Sequence, residues 1–156
     1  MKTLLIYHTN RNPVRTMCEA TAMEDVDVLE LRPRYRKRPL LDDIAGCYRA
    51  LTGRGVRLAP LDIDFAKYDQ IILVDSLTAF APSAACNEFL YRCDLGGRDV
   101  ACIVSSPLRY FGSAGRILRK RVRLAGGVCR NITYLAEADL GRQAETANAL
   151  ALQKQA

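Results

Sequence analysis

No run of 18 or more apolar residues occurs in the 156-residue chain, which excludes the ordinary membrane-crossing helix. Histidine occurs once, as His8, and the six cysteines, at 18, 47, 86, 93, 102 and 129, form no Cys-x-x-Cys pair, so a Cys/His zinc site lacks its ligands. Cys102 sits inside an apolar strand, and Cys86 and Cys93, seven apart on one predicted helix, share a face. The spacing favours free thiols packed as small hydrophobes. Ser105-Ser106 lacks the Gly-x-Ser-x-Gly elbow, and His8 has no nucleophile and orienting acid at a recognisable spacing, so no catalytic residue is assigned. His8 is read as filling a position beside the first strand or lining a crevice. The amino terminus enters a strand without a basic leader or cleavage site, and the expectation is a soluble, cytoplasmic protein.

What is present is alternation. Strands are predicted at Lys2 to Tyr7, Val26 to Leu31, Gln70 to Val74, Asp99 to Ser105 and Gly127 to Leu135. Helices are predicted at about Val14 to Met23, Leu40 to Leu51, Ser83 to Arg92, Ser113 to Leu124 and Leu140 to Leu152, with a turn region over Thr52 to Pro60. Strands alternating with helices imply a parallel sheet covered on both faces, and the length suits one domain over residues 1–156. Five strands fit the doubly wound order 2-1-3-4-5, whose ligand crevice lies at the carboxyl ends of the strands.

The first of those ends is the most informative. Lys2 to Tyr7 runs into His8-Thr9-Asn10-Arg11-Asn12-Pro13 and then into a helix. Free backbone N–H groups and the helix dipole favour an anion there.

Four stretches in the right order carry a resemblance. Tyr7-His8 is followed by Thr9-Asn10-Arg11-Asn12-Pro13-Val14, where a Ser/Thr-x-Thr-Gly-x-Thr phosphate loop would stand. Phe65-Ala66-Lys67-Tyr68-Asp69-Gln70 leads into the third strand. Ala81-Pro82 opens a helix ending in Glu88-Phe89-Leu90, and Gly96-Gly97-Arg98 leads into the fourth strand. The chain thus resembles the short-chain flavodoxin-like family to about residue 140, and the resemblance implies a three-layer α/β sandwich with flavin mononucleotide (FMN) in its crevice.

Carried over position by position, the resemblance implies a phosphate site at Thr9, Asn10, Arg11, Asn12, Val14 and Arg15. Only Thr9 keeps a hydroxyl in place, because Arg11 and Val14 stand where the others would be. Asn12 tolerates the left-handed backbone that glycine would supply, and Pro13 removes a donor. Arg11 and Arg15 have two readings of equal standing, as bidentate phosphate ligands or as solvated residues at a helix start. The ring-binding loops are matched by Val74 to Phe80 and Ser105 to Gly112, which implies Ser76, Thr78, Phe80, Ser105, Arg109 and Tyr110 as flavin contacts. Thr78 occupies the usual aromatic position, and Tyr110 is the better stacking candidate.

Charge is an independent line, with a net of +6. Arg32, Arg34, Arg36, Lys37 and Arg38 follow the second strand, and the expectation is an electropositive edge shared with Arg11, Arg15 and Arg109. Arg116, Arg119, Lys120 and Arg123 form one face of the fourth helix, with Leu118, Val122 and Ala125 inward. Two functions stand open: an FMN-binding electron-transfer protein or small flavoprotein, and a flavin-free module of the same fold that binds another phosphorylated small molecule or an acidic partner. An acidic redox partner suits the first reading. Neither a membrane nor a nucleic acid is expected as partner, since no RNA- or DNA-binding motif accompanies the charge.

Overall fold

The computed structural model describes residues 1–34 and 39–140. Five strands, β1 (Thr3–His8), β2 (Val26–Glu30), β3 (Gln70–Ser76), β4 (Asp99–Ser106) and β5 (Val128–Ala136), form one parallel sheet in the order β2-β1-β3-β4-β5. Four helices connect them: α1 (Asn12–Ala20), α2 (Pro39–Leu51), α3 (Ala84–Arg92) and α4 (Ala114–Leu124). The expected strand order and the parallel sheet are both present.

The core has two parts because successive strand residues face opposite ways. Ile6, Leu73 and Val104 face the layer of α3 and α4, where Phe89, Leu118 and Val122 are fully buried. Tyr7 and Val74 face α1, where Val14 and Cys18 are fully buried, with Ile103 and Leu140 packed alongside. Beyond these rows the same alternation continues in polar residues. His8, Asp75 and Ser106 extend the α3/α4 side, and Thr9, Ser76 and Ser105 extend the α1 side; all six are buried.

Several boundaries differ from expectation. β3 runs two residues past Val74, because pairing with β4 continues through Asp75↔Val104 and Ser76↔Ser105 at the carboxyl end of the strand. α1 starts at Asn12 and ends at Ala20, since Pro13, at its start, presets a helical φ where no N–H is needed. Cys93 lies just beyond α3 as an extended cap, so it does not share a helix with Cys86. Of the helix expected over Leu140 to Leu152, only its first residue lies among the described residues, and Tyr35, Arg36, Lys37 and Arg38 also lie outside them.

α2 matches the helix expected over Leu40 to Leu51. It packs on α3 and leaves Leu40, Leu41, Ile44, Tyr48 and Leu51 exposed, while Val56, Leu58, Leu61, Ile63 and Phe65 from the following segment pack into the core. α4 follows its pattern, with Arg116, Arg119, Lys120 and Arg123 exposed and Leu118, Val122 and Ala125 buried. Among the described residues no helix is long and apolar enough to cross a membrane.

Candidate functional site

The carboxyl ends of β1, β3 and β4 carry a row of three hydroxyls on the α1 side. Ser76 Oγ donates to Thr9 Oγ1 at 2.8 Å and lies 2.7 Å from Ser105 Oγ. Thr9 Oγ1 in turn accepts the backbone N–H of Arg11 at 3.0 Å, which shapes the turn into α1. Buried hydroxyls must be paired, and here they pair with each other across three strands.

α1 begins above this row in an unusual way. Its cap position is Arg11, with extended backbone; no side chain caps the helix, and its first turn has no acidic residue. The first-turn N–H groups and the positive dipole end therefore lack the usual side-chain anion or acceptor.

The arginines of the loop are neither free ligands nor simply solvated. Arg11 Nη1 binds Glu137 Oε2 at 2.8 Å. Arg15 Nη2 binds Glu30 Oε1 at 2.9 Å and reaches the Thr9 carbonyl at 3.3 Å, while its buried Nε lacks a partner. Arg32 Nε takes the other Glu30 oxygen at 3.1 Å, and Arg109 Nη2 binds Asp139 at 2.7 Å. The edge expected to be strongly electropositive is, among the described residues, largely an edge of arginine–carboxylate pairs, a correction that follows from Glu30 at the last position of β2 and from Glu137 and Asp139 just past β5.

A second feature lies after β3. Ala79 and Phe80 have φ of +50° and +61°, and Thr78 and Ala81 exchange both backbone hydrogen bonds around them at 2.9 and 3.0 Å. Two successive left-handed residues make a primed hairpin turn, which glycine or asparagine normally supplies. The turn lifts Phe80 into solvent, where its ring meets Tyr110 edge-on at 5.2 Å between centroids, and both rings are exposed.

On the α3/α4 side the polar row is of another kind. Asp75 is fully buried and accepts from Ser83 N at 2.8 Å and Ser83 Oγ at 2.6 Å, at the start of α3. Burial pushes its carboxyl up to about 6, against the opposing pull of the Ser83 hydrogen bonds and the His8 and Arg121 charges. His8 Nδ1 lies 3.1 Å from the Leu31 carbonyl; a carbonyl only accepts, so that nitrogen carries the proton. The Ser106 hydroxyl is buried without a partner. A cavity of about 160 Å³ opens beside His8, lined also by Asn10, Cys47, Thr78 and Ser83.

The structure thus joins Thr9, Arg11, Arg15, Ser76 and Ser105 in one network and pairs Phe80 with Tyr110. Thr78 lines the His8 cavity instead, and Arg109 is held by Asp139. Asn10 and Asn12 are exposed, and the fully buried Val14 side chain leaves only its backbone to face a ligand. Sequence reasoning passed over Glu30, Asp75 and Glu137. Their common signal was an acid at the carboxyl end of an apolar strand, where such folds place their ligands.

No thiol is poised as a nucleophile in the core. Burial raises Cys18 to about 12 and pushes Cys86 and Cys102 well up, and all six cysteines are free. No group of three or more metal-ligating side chains occurs among the described residues.

No protein-family model and no curated protein matches the chain. Solved structures do match. A flavoprotein from Lactobacillus acidophilus, crystallised in complex with FMN, superposes with a TM-score of 0.70 at 14% identity, over 85% of this chain and 92% of that one. General stress protein 14 from Treponema denticola, also in complex with FMN, gives 0.50 at 14% identity over 96% and 97% of the two chains. A flavodoxin from the domain Archaea gives 0.51 at 14% identity over 91% and 90%. At such identities sequence says little, but the sheet order and these superpositions agree: the chain has the flavodoxin-like fold.

Proposed function

We propose that this chain binds FMN noncovalently at the carboxyl ends of β1, β3 and β4 and acts as an electron-transfer protein or small flavoprotein. The observation that carries the reading is the start of α1, uncapped and without an acid, standing over the Thr9–Ser76–Ser105 hydroxyl row. A phosphate placed there would receive backbone N–H groups, the dipole and the guanidinium charges of Arg11 and Arg15. The paired aromatic rings of Phe80 and Tyr110 suit the edge of a half-exposed flavin. Two solved chains of this fold hold FMN, which supports the choice of ligand.

The residues present therefore fit the group. Thr9, the backbone of Asn12 and Val14, Arg11 and Arg15 would hold the phosphate, and Phe80 and Tyr110 would flank the ring. Bound FMN supplies one-electron and hydride chemistry; the chain supplies binding and orientation. Titration of the apoprotein with FMN, followed by fluorescence quenching, tests the proposal. Stoichiometric quenching is the expected outcome.

A second reading has one observation in its favour. Phe80 and Tyr110 contact each other, so the rings already have a partner without a flavin. A flavin-free module for another phosphorylated small molecule would bind inorganic phosphate at the α1 start and quench no FMN fluorescence.

A further inference from the structure

Glu137 follows β5 directly, and its side chain is only 9% exposed. One carboxylate oxygen takes Arg11 Nη1 at 2.8 Å, and the other lies 3.3 Å from Ser105 Oγ. Proton counting shows how weak that second contact is. Ser105 has one hydroxyl proton and a nearer acceptor, Ser76 Oγ at 2.7 Å; the Ser76 proton goes to Thr9, and the Thr9 proton has the Arg11 carbonyl at 3.4 Å. With the row running in that direction, every hydroxyl proton is used and Glu137 depends on Arg11. A largely buried carboxylate with one strong donor is incompletely compensated.

The same Arg11 is the cap residue of α1, directly before its first turn. We propose that Glu137 is an internal anion that occupies Arg11 in the free protein and is displaced by the phosphate group of an incoming ligand. The inference deepens the phosphate-site reading of residues 9–15 and rests on it. Exchange of one anion for another at Arg11 leaves the number of charge-assisted bonds nearly constant, so Arg11 adds little net affinity while Glu137 is charged. Glu137 thereby tunes the loop toward weaker binding of phosphate, and its one contact with the ring-binding loops is the long 3.3 Å approach to Ser105. Removing its charge should release Arg11 for the ligand.

Glu137→Gln keeps an amide oxygen for Arg11 while deleting the charge, and Glu137→Ala serves as a second variant. Inorganic phosphate is titrated by NMR amide shifts of residues 9–15, and FMN and riboflavin by fluorescence quenching. Both variants should bind phosphate roughly tenfold more tightly than the native chain, a gain of one charge-assisted contact, with riboflavin affinity unchanged. Adding Arg11→Ala should abolish the gain, whereas in the native background Arg11→Ala should change phosphate affinity less than about threefold, because the contacts are coupled. Unchanged phosphate affinity in both Glu137 variants overturns the proposal, as does a gain that survives Arg11→Ala or appears equally for riboflavin. If no variant quenches FMN while the phosphate gain persists, the flavin reading falls and the role of Glu137 stands.

Discussion

Asp75 and Ser83 are joined twice, the serine giving both its backbone N–H, at 2.8 Å, and its hydroxyl, at 2.6 Å, to one buried carboxylate. Ser83 Oγ also accepts the N–H of Cys86 at 3.1 Å, so the aspartate at the end of β3 fixes the cap that starts α3. The loop between them carries Phe80. A single buried acid thus ties the turn that carries Phe80 to the helix behind it.

The Asp75 carboxyl is raised from its ordinary 3.8 to about 6, with burial the largest cause. A carboxyl with a higher pKa in the folded chain takes up a proton on folding, so its contribution is most favourable below pH 4 and is lost as pH rises to about 6. Two pH units at 1.4 kcal/mol each make the loss roughly 3 kcal/mol. Asp75→Asn removes this titration while keeping an acceptor for Ser83. Urea denaturation at pH 4 to 7 should show the native chain losing stability relative to the variant between pH 4 and 6; parallel curves would mean that Asp75 is already charged throughout.

The Ala79–Phe80 turn holds two non-glycine residues at positive φ. Each such residue costs about 1 to 2 kcal/mol, partly offset by the entropy that glycine would lose on folding. Ala79→Gly should therefore stabilise the fold by roughly 0.5 to 1 kcal/mol, read from the denaturation midpoint. Tyr110→Ala, by contrast, should leave stability nearly unchanged, since the residue is 60% exposed. If the ring flanks a flavin, that variant should weaken riboflavin binding by about 1 kcal/mol. Full riboflavin affinity in Tyr110→Ala would remove the tyrosine from the site.

Ser76 stands in the middle of the hydroxyl row, bonded to Thr9 and adjacent to Ser105, and all three are buried. Ser76→Ala leaves two buried hydroxyls short of a partner, at an expected cost of about 1 to 3 kcal/mol. The effect belongs on stability as well as on ligand binding. Chemical denaturation without ligand separates the two, and a loss confined to phosphate or FMN affinity would show that water replaces the missing hydroxyl.

The sheet order was legible because strand type here is set by burial. β1, β3 and β4 read as apolar runs, and a parallel sheet covered on both faces requires such runs. The first-turn position of Pro13 was less visible, since proline serves both a loop and a helix start. Thr9, Ser76 and Ser105 were each legible as site positions, but their mutual bonding depends on register, with Ser76 set opposite Ser105 and Thr9 one residue past the β1 pairing. Pairing of Arg11 with Glu137 spans 126 residues, and no local pattern announces it. α2 was legible as a helix, but its packing was not. Its apolar residues Leu40, Leu41, Ile44, Tyr48 and Leu51 are exposed, while Val56 and Leu58 of the following segment are buried in the core.

Salt should distinguish the phosphate end of the ligand from its ring. Pro13 supplies no N–H, so a phosphate bound there would lean on guanidinium charge from Arg11 and Arg15, with Arg15 the larger net contributor while Glu137 holds Arg11. The two arginine side chains are 38% and 41% exposed, which leaves their charges open to counterions that screen over about 8 to 10 Å in ordinary buffers. FMN affinity, measured by quenching at low and moderate salt, should fall as salt rises, while riboflavin, which lacks the phosphate, should bind with little change. The difference should shrink when Arg15→Ala removes one of the two cations. Equal salt dependence for the two flavins would place the phosphate away from Arg11 and Arg15, and tight, salt-insensitive FMN binding would mean that the backbone N–H groups of the α1 start carry the phosphate alone.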